Sequence, residues 1–155
     1  MYLCLNYIKI ISISFCFLFI ITFVSAKEQD LYLSLKNLEV NVRQGPSFDY
    51  PIKFIYKKKF LPIKIIDSSN NFKKIVDINK NSGWIHRSQL SKKNSAINIK
   101  EKSILFNKPK IYSKPIAKIE IGKFFIVKKC KKKWCKVSDN KTSGWIKKKY
   151  LWGRF

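Results

Sequence analysis

A four-residue motif that occurs twice constrains this chain more than any other feature of it. Ser82-Gly83-Trp84-Ile85 is followed five residues on by Leu90, and Ser143-Gly144-Trp145-Ile146 is followed five residues on by Leu151, the second copy starting 61 positions after the first. Each copy closes a segment rich in alternating Ile, Val and aromatic residues. A fixed period with a shared closing motif indicates two copies of one small module. Ser-Gly after a polar run supplies a tight turn, because glycine tolerates positive φ. Trp-Ile then begins a short strand, and the later Leu pins the exit of the chain.

The first copy reads as a succession of short strands. Leu31 to Asn37 is a short lead-in that can serve as a first edge strand. Leu38-Glu39-Val40-Asn41-Val42-Arg43 alternates apolar and polar residues, the period-2 pattern of a half-buried strand. Gln44-Gly45-Pro46-Ser47 breaks it, and Phe48-Asp49-Tyr50-Pro51 continues as an aromatic loop. Ile52 to Lys57 and Leu61 to Ile66 follow as strands around a Lys57-Lys58-Lys59 turn. After the turn cluster Asp67 to Asn71 comes Phe72 to Ile78, then a polar turn, then the Gly83-Trp84-Ile85-His86 strand. Five strands with no helix-period stretch predict a small all-β barrel or sandwich.

Ser91 to Asn98 is polar and is expected to join the modules, placing the first at residues 33–91 and the second at 99–153. In the second, Ile104-Leu105-Phe106 replaces the first strand, Pro115-Ile116 matches Pro51-Ile52, and Trp134 aligns with Phe72. This copy is shorter and has Asn107-Lys108-Pro109 where the first has its Gly-Pro loop. A module of ~60 residues buries only ~60% of its unfolded surface. Trp84, Trp134 and Trp145 are therefore expected in the cores, each with on the order of 200 Å² to bury.

The N-terminus reads differently from the rest. Lys9 precedes an apolar or hydroxyl-bearing run from Ile10 to Val24, and Val24-Ser25-Ala26 leads abruptly into Lys27-Glu28-Gln29-Asp30. This is the pattern of a secretory signal peptide over residues 1–26, cleaved after Ala26. The alternative is an uncleaved anchor, which needs ~20 apolar residues. Cleavage removes Lys9 and no acid, and leaves 32 basic and 9 acidic residues, a net charge of +23. Such a charge draws anionic partners. Only Arg43, Arg87 and Arg154 are arginines, and the Lys, Ile and Asn content is that of an AT-rich coding sequence. A surface selected to grip phosphate would carry more Arg, whose planar fork binds oxygens bidentately.

Cys130 and Cys135 are the two cysteines left after cleavage, an even pair in an exported chain. Phe124-Phe125-Ile126-Val127 leads into Cys130, and Trp134-Cys135-Lys136-Val137 leads out. Lys131-Lys132-Lys133 between them reads as a turn, since adjacent like charges repel. Cysteines flanking a short hairpin turn can face each other, so a disulfide is expected; free buried thiols or a half-filled metal site are the alternatives.

Catalytic chemistry is sparsely supplied. His86 is the single histidine, which leaves neither a two-His metal site nor a Cys-His pair within one module. Asp67, Asp77 and Asp139 sit in turn contexts where short carboxylates cap backbone amides. No glycine-rich phosphate cradle is present. No catalytic residue, metal or cofactor is expected.

Val40-Asn41-Val42-Arg43-Gln44-Gly45-Pro46-Ser47, then Tyr50-Pro51, then Gly83-Trp84-Ile85-His86-Arg87-Ser88-Gln89-Leu90 resembles the exported bacterial Src-homology-3-like domain. The second copy, through Cys130, Trp134-Cys135-Lys136-Val137, Gly144-Trp145-Ile146 and Leu151-Trp152-Gly153, resembles the second module of proteins with two such domains in tandem. The resemblance runs from about Leu33 to Gly153 and implies two small five-stranded barrels, each closed by a short 3₁₀ turn before its last strand. It also implies a non-enzymatic binding role in the periplasm or cell envelope, on peptidoglycan or its peptide stems. Two other readings stay open: contact with another envelope protein, and binding of a polyanion such as nucleic acid or lipid head groups. Grooves of this domain type are built from aromatic faces flanked by loops. The candidate ligand residues are therefore Tyr50, Tyr56, Trp84, Tyr112 and Trp145, with Arg43 either binding ligand or holding the Gly45-Pro46 loop through backbone carbonyls.

Overall fold

The computed structural model describes residues 32–155. The expected signal segment and its cleavage site lie outside the described residues. The chain forms two seven-stranded antiparallel sheets in tandem. The first is built from β1 (Tyr32–Leu35), β2 (Glu39–Arg43), β3 (Ile52–Lys57), β4 (Pro62–Ser69), β5 (Phe72–Val76), β6 (Ser82–His86) and β7 (Leu90–Ser91). The second repeats it with β8 (Ser95–Asn98), β9 (Ser103–Phe106), β10 (Pro115–Ile119), β11 (Phe124–Lys131), β12 (Trp134–Ser138), β13 (Ser143–Lys147) and β14 (Leu151–Arg154). Spatial order is β3-β2-β6-β5-β4-β1-β7 in one and β10-β9-β13-β12-β11-β8-β14 in the other, so the repeat in sequence is a repeat in topology. A single 3₁₀ turn precedes each last strand, Arg87–Gln89 and Lys148–Tyr150.

The five expected strands are β2 to β6, and the count of seven comes from the lead-in and the exit. β1 pairs with both β4 and β7, and β8 pairs with both β11 and β14. This corrects the reading of Ser91 to Asn98 as a joint. Ser95, Ala96, Ile97 and Asn98 are all buried and form a central strand of the second sheet. The polarity of Asn98 misleads because its amide is satisfied internally: it donates from Nδ2 to the carbonyls of Lys100 and Glu120, each at 2.8 Å. A buried amide with its partners in place is tolerated where an unpaired one is not.

The core is aliphatic, not tryptophan-based. In the first module Leu35, Val40, Val42, Ile63, Ile65, Ile75 and Ile85 pack together. Leu105, Ile119, Phe125, Val127, Cys135, Val137, Ile146 and Leu151 do so in the second. Side chains alternate across a strand, so in each Gly-Trp-Ile strand the isoleucine faces inward and the tryptophan lies on the opposite face. Ile85 and Ile146 are fully buried, whereas Trp84 and Trp134 are only half-buried; Trp145 is buried on the outer face. The expectation of tryptophan cores fails on this parity for Trp84 and Trp134, while Trp145 is buried as expected.

The modules pack on one another through β14, β1 and β4. Arg154 donates from Nη1 to the Tyr32 carbonyl (2.9 Å) and from Nε to that of Lys92 (3.0 Å). Trp152 meets Tyr32 edge-on at 5.2 Å. Gly153, at φ 141°, lies between Ser95-Ala96 and Pro62, where a Cβ would collide with the Ser95 carbonyl. Glycine is required at that crossing on both counts.

Candidate binding site

Beside the outer face of each sheet runs a loop, 44–51 in the first module and 107–114 in the second. Both loops close with the same backbone bond, Gln44 N–H to the Pro51 carbonyl (3.1 Å) and Asn107 N–H to that of Lys114 (3.0 Å). The second loop is therefore intact, and Pro51 corresponds to Lys114 rather than to Pro115.

In the first module this loop seals its own face. Arg43 donates from Nη1 to the carbonyls of Phe48 (3.0 Å) and Tyr50 (2.7 Å), and its guanidinium lies over the Phe48 ring at 5.4 Å. The Tyr50 ring rests on Gly45, where a Cβ would sit 2.6 Å from it. Phe48 packs at 5.1 Å from Phe72 and 5.2 Å from His86, which are also 5.2 Å from each other. Phe72 and His86 are direct cross-strand partners. Trp84 sits opposite Arg43 across the sheet, with the Lys74 ammonium 5.9 Å from its ring. Arg43 and Tyr50 thus hold the loop.

Tyr56 is engaged elsewhere. Its hydroxyl donates to Asp77 Oδ2 at 2.9 Å, and burial, then that bond, raises its ionisation above the ordinary phenol range. Asp77 in turn accepts from the backbone of Asn79 and Asn81 and from the Asn81 amide, and so fixes the turn before β6. Tyr56 does border a crevice of about 700 Å³ between the modules, along with Pro62, Asn98 and Gly122.

The second module is built on the same register but left open. Trp134 stands where the first module has Phe72, and Lys147 opposite it stands where His86 is. By the loop register Ile111 stands where Phe48 is. The smaller Ile111 and the slender Lys147 do not fill the space that three rings fill in the first copy. A groove of about 760 Å³ results, lined by Ile111, Trp134 and five lysines: Lys132 and Lys133 from the β11–β12 hairpin, and Lys147 to Lys149 from the end of β13 and the 3₁₀ turn. The Lys148 N–H donates to the Lys133 carbonyl (2.8 Å) and laces the two lysine segments together. Phe106 supports Trp134 edge-on at 5.7 Å. A recess of about 150 Å³ continues from Ile111 and Lys147 past Lys100, Lys102, Phe106 and Tyr150. No Asp or Glu lines either space.

The disulfide sits at the base of the hairpin that borders this groove. Cys130 and Cys135 are bonded and directly paired across β11 and β12, with Cα atoms 4.0 Å apart. Lys131 pairs with Trp134, so the turn itself is only Lys132-Lys133, tighter than the three-lysine turn expected. Lys132 adopts φ 49°, and the matching residue of the first module, Asn70, adopts φ 46°. Asparagine reaches the left-handed region more readily than lysine, and the disulfide clamps the hairpin in which lysine must do so.

Of the aromatic residues expected to contact ligand in this module, Trp145 is buried at 8% exposure and Tyr112 is 100% exposed beside Ile111. Tyr112 lies on the loop that borders the groove without lining it. Sequence reasoning missed Ile111, Lys133 and Lys147 to Lys149, because the lysines were read as turn and composition. Aligning the copies by position, Phe48 with Ile111 and His86 with Lys147, holds the signal that finds them.

The sequence profile of the bacterial SH3 domain matches residues 36–92 and again residues 100–153. The chain belongs to the bacterial SH3 domain family. Both matches coincide with the two sheets, and each begins after the lead-in strand that the structure adds. Among solved structures, NlpC2 and NlpC1 from Trichomonas vaginalis are similar, each at 11% identity and a TM-score of 0.37. The matches cover 83% and 82% of this chain, and the chain spans about half of those proteins, 50% and 47%. No curated protein sequence matches it.

Proposed function

We propose that the protein is a non-enzymatic binding protein of the cell envelope that contacts peptidoglycan or its peptide stems. The observation that carries this reading is a tandem pair of bacterial SH3 modules of which one retains an open, cation-lined groove. The high positive charge, +24 for the full chain, favours encounter with the carboxylates of a cell wall. Binding rather than catalysis fits the residues at hand. Among the described residues no three of His, Cys, Asp and Glu gather as a metal site, and His86 is engaged with Ser88 Oγ at 2.7 Å. Co-sedimentation with purified sacculi tests the proposal. The protein should pellet with sacculi and stay soluble without them. A protein that stays in the supernatant with sacculi but is retained by a detergent extract of envelope proteins would replace this reading with a protein partner.

A further inference from the structure

The lysines of the second module's groove raise a question that its fold does not answer. Five lysines line one space of about 760 Å³, two more border its continuation, and no carboxylate lines either. Like charges so gathered repel one another and weaken the fold. The ion pairs among the described residues, Lys57 with Glu39 and Lys123 with Asp139, both lie elsewhere. Lys147 and Lys149 approach the Tyr150 ring at 5.8 and 5.6 Å, and Lys148 approaches Phe155 at 5.0 Å. Contacts of that kind are weak at exposed sites and leave the ammonium protons available. The lysine segments are moreover laced together and clamped by a disulfide, so the cluster is held in place.

The apolar part of the groove narrows the ligand. Trp134 is half-buried, propped edge-on by Phe106, and faces the space beside Ile111. A single aromatic surface ringed by point charges suits a sugar ring, whose C–H face is apolar and whose acidic substituents project from its edge. Single-stranded nucleic acid calls for successive stacking platforms, and tight phosphate gripping favours Arg; the groove has one tryptophan and no Arg. The recess beyond Lys147 extends the track past Lys100 and Lys102, which fits a chain of sugars better than a compact molecule. We propose that this groove binds an anionic glycan, with one ring on Trp134 and its acidic groups among the lysines, and that the first module, sealed by Phe48, Phe72 and His86, does not.

This assignment rests on the cell-wall reading for its setting, but its test is separate. Calorimetry on the full chain would use tetragalacturonate as the carboxylated probe and a heparin tetrasaccharide as the sulfated one. Neutral cellotetraose, tetraglutamate and a short oligothymidylate complete the series. One or both anionic glycans should bind at least tenfold more tightly than cellotetraose and tetraglutamate, and which of them does identifies the acidic group. The Lys133→Glu/Lys148→Glu variant, altered only on exposed turns, should lose at least tenfold of that affinity. Lys36→Glu/Lys53→Glu carries the same charge change on the first module, at two exposed positions, and should lose less than threefold. Trp134→Phe should weaken glycan binding more than tetraglutamate binding. Equal loss in both charge variants would overturn the site in favour of net charge. Tetraglutamate binding as tight as the glycans would remove the sugar-ring contact, and tighter oligothymidylate binding would replace the glycan with nucleic acid. Sacculi run in parallel separate the two proposals. Glycan binding without sacculus binding refutes only the cell-wall role, and sacculus binding unchanged by Lys133→Glu/Lys148→Glu, with no glycan binding, refutes only this site.

Discussion

The two modules share a backbone and a core and differ on one face. In the first, Arg43 ties the 44–51 loop down and Phe48, Phe72 and His86 close the space beneath it. In the second, Phe106 holds the arginine's place in the sheet, and the loop braces itself through Ser113 Oγ, which donates toward the carbonyls of Lys108 (2.9 Å) and Lys110 (2.8 Å). With no ring where Phe48 is, the groove stays open. Duplication thus fixed the parts facing inward and left the outward parts free to diverge. Core positions answer to packing in both copies, whereas a groove answers to whatever enters it.

If the shared inner face is the real unit of stability, the largest effects should come from it and should match between copies. Ile85→Ala and Ile146→Ala each empty a fully buried site and should each cost about 2–5 kcal/mol, the usual range for such truncations. Trp84→Ala, on the half-exposed outer face, should cost roughly 1–2 kcal/mol. Urea denaturation followed by circular dichroism measures all three. A Trp84→Ala variant that loses more than Ile85→Ala would restore tryptophan as the core residue and undo the parity argument.

The next effect belongs to the second module alone. The Cys130–Cys135 bridge closes a short loop, for which chain entropy gives about 2 kcal/mol. Reduction, or the Cys130→Ser/Cys135→Ser variant, should lower stability by about that amount. It should also loosen the Lys132-Lys133 turn, which lacks the asparagines of its counterpart Asn70-Asn71. Replacing both lysines by Asn-Asn in the reduced protein should recover part of the loss. Recovery would sharpen the comparison, since it would show the disulfide compensating for residues ill suited to the turn. A reduced protein as stable as the oxidised one would refute that role.

How far the sequence disclosed all this follows the same division. The repeat, its strands and the disulfide were legible because each leaves a local mark: a turn glycine, a period-2 strand, a Cys pair around a polar turn; the 3₁₀ closures followed from the family resemblance instead. Ser95–Asn98 was not, because a strand of Ser, Ala, Ile and Asn looks like a linker until Asn98 is seen bonding to the carbonyls of Lys100 and Glu120. The groove was not, because it is made by what is missing. Ile111 and Lys147 matter only relative to Phe48 and His86, and cavities arise from differences in volume that no single stretch displays. For Arg43 the loop-holding reading was legible, and its bonds to the Phe48 and Tyr50 carbonyls carry it, whereas the bond of the Tyr56 hydroxyl to Asp77 left no mark in the sequence.

The smallest expected effect tests the comparison at opposite ends of the pH scale. Each module places an aspartate after its fifth strand, Asp77 after β5 and Asp139 after β12, and each caps the turn that follows. Their partners differ in kind. Asp139 pairs with the Lys123 ammonium at 2.7 Å, and that bond, with two backbone donors and against some desolvation, holds its carboxyl down at about 2. Its folded value lies below its unfolded one, so the stability it contributes is present above about pH 4 and is lost as pH falls toward 2. Asp77 instead accepts from the Tyr56 phenol, whose ionisation is raised by burial and by that bond. There the folded value lies above the unfolded one, so the contribution is present below about pH 10 and is lost as pH rises through the raised value. Urea midpoints of the wild type, Asp139→Asn and Tyr56→Phe across pH separate the two. The advantage of the wild type over Asp139→Asn should shrink between pH 4 and pH 2 and stay constant from about pH 5 to neutrality. Its advantage over Tyr56→Phe should stay constant from neutrality to about pH 10 and shrink above it. An Asp139→Asn difference that persists unchanged at pH 2 would show that the carboxylate's charge contributes nothing to the turn, leaving the two caps equivalent where their partners say they differ.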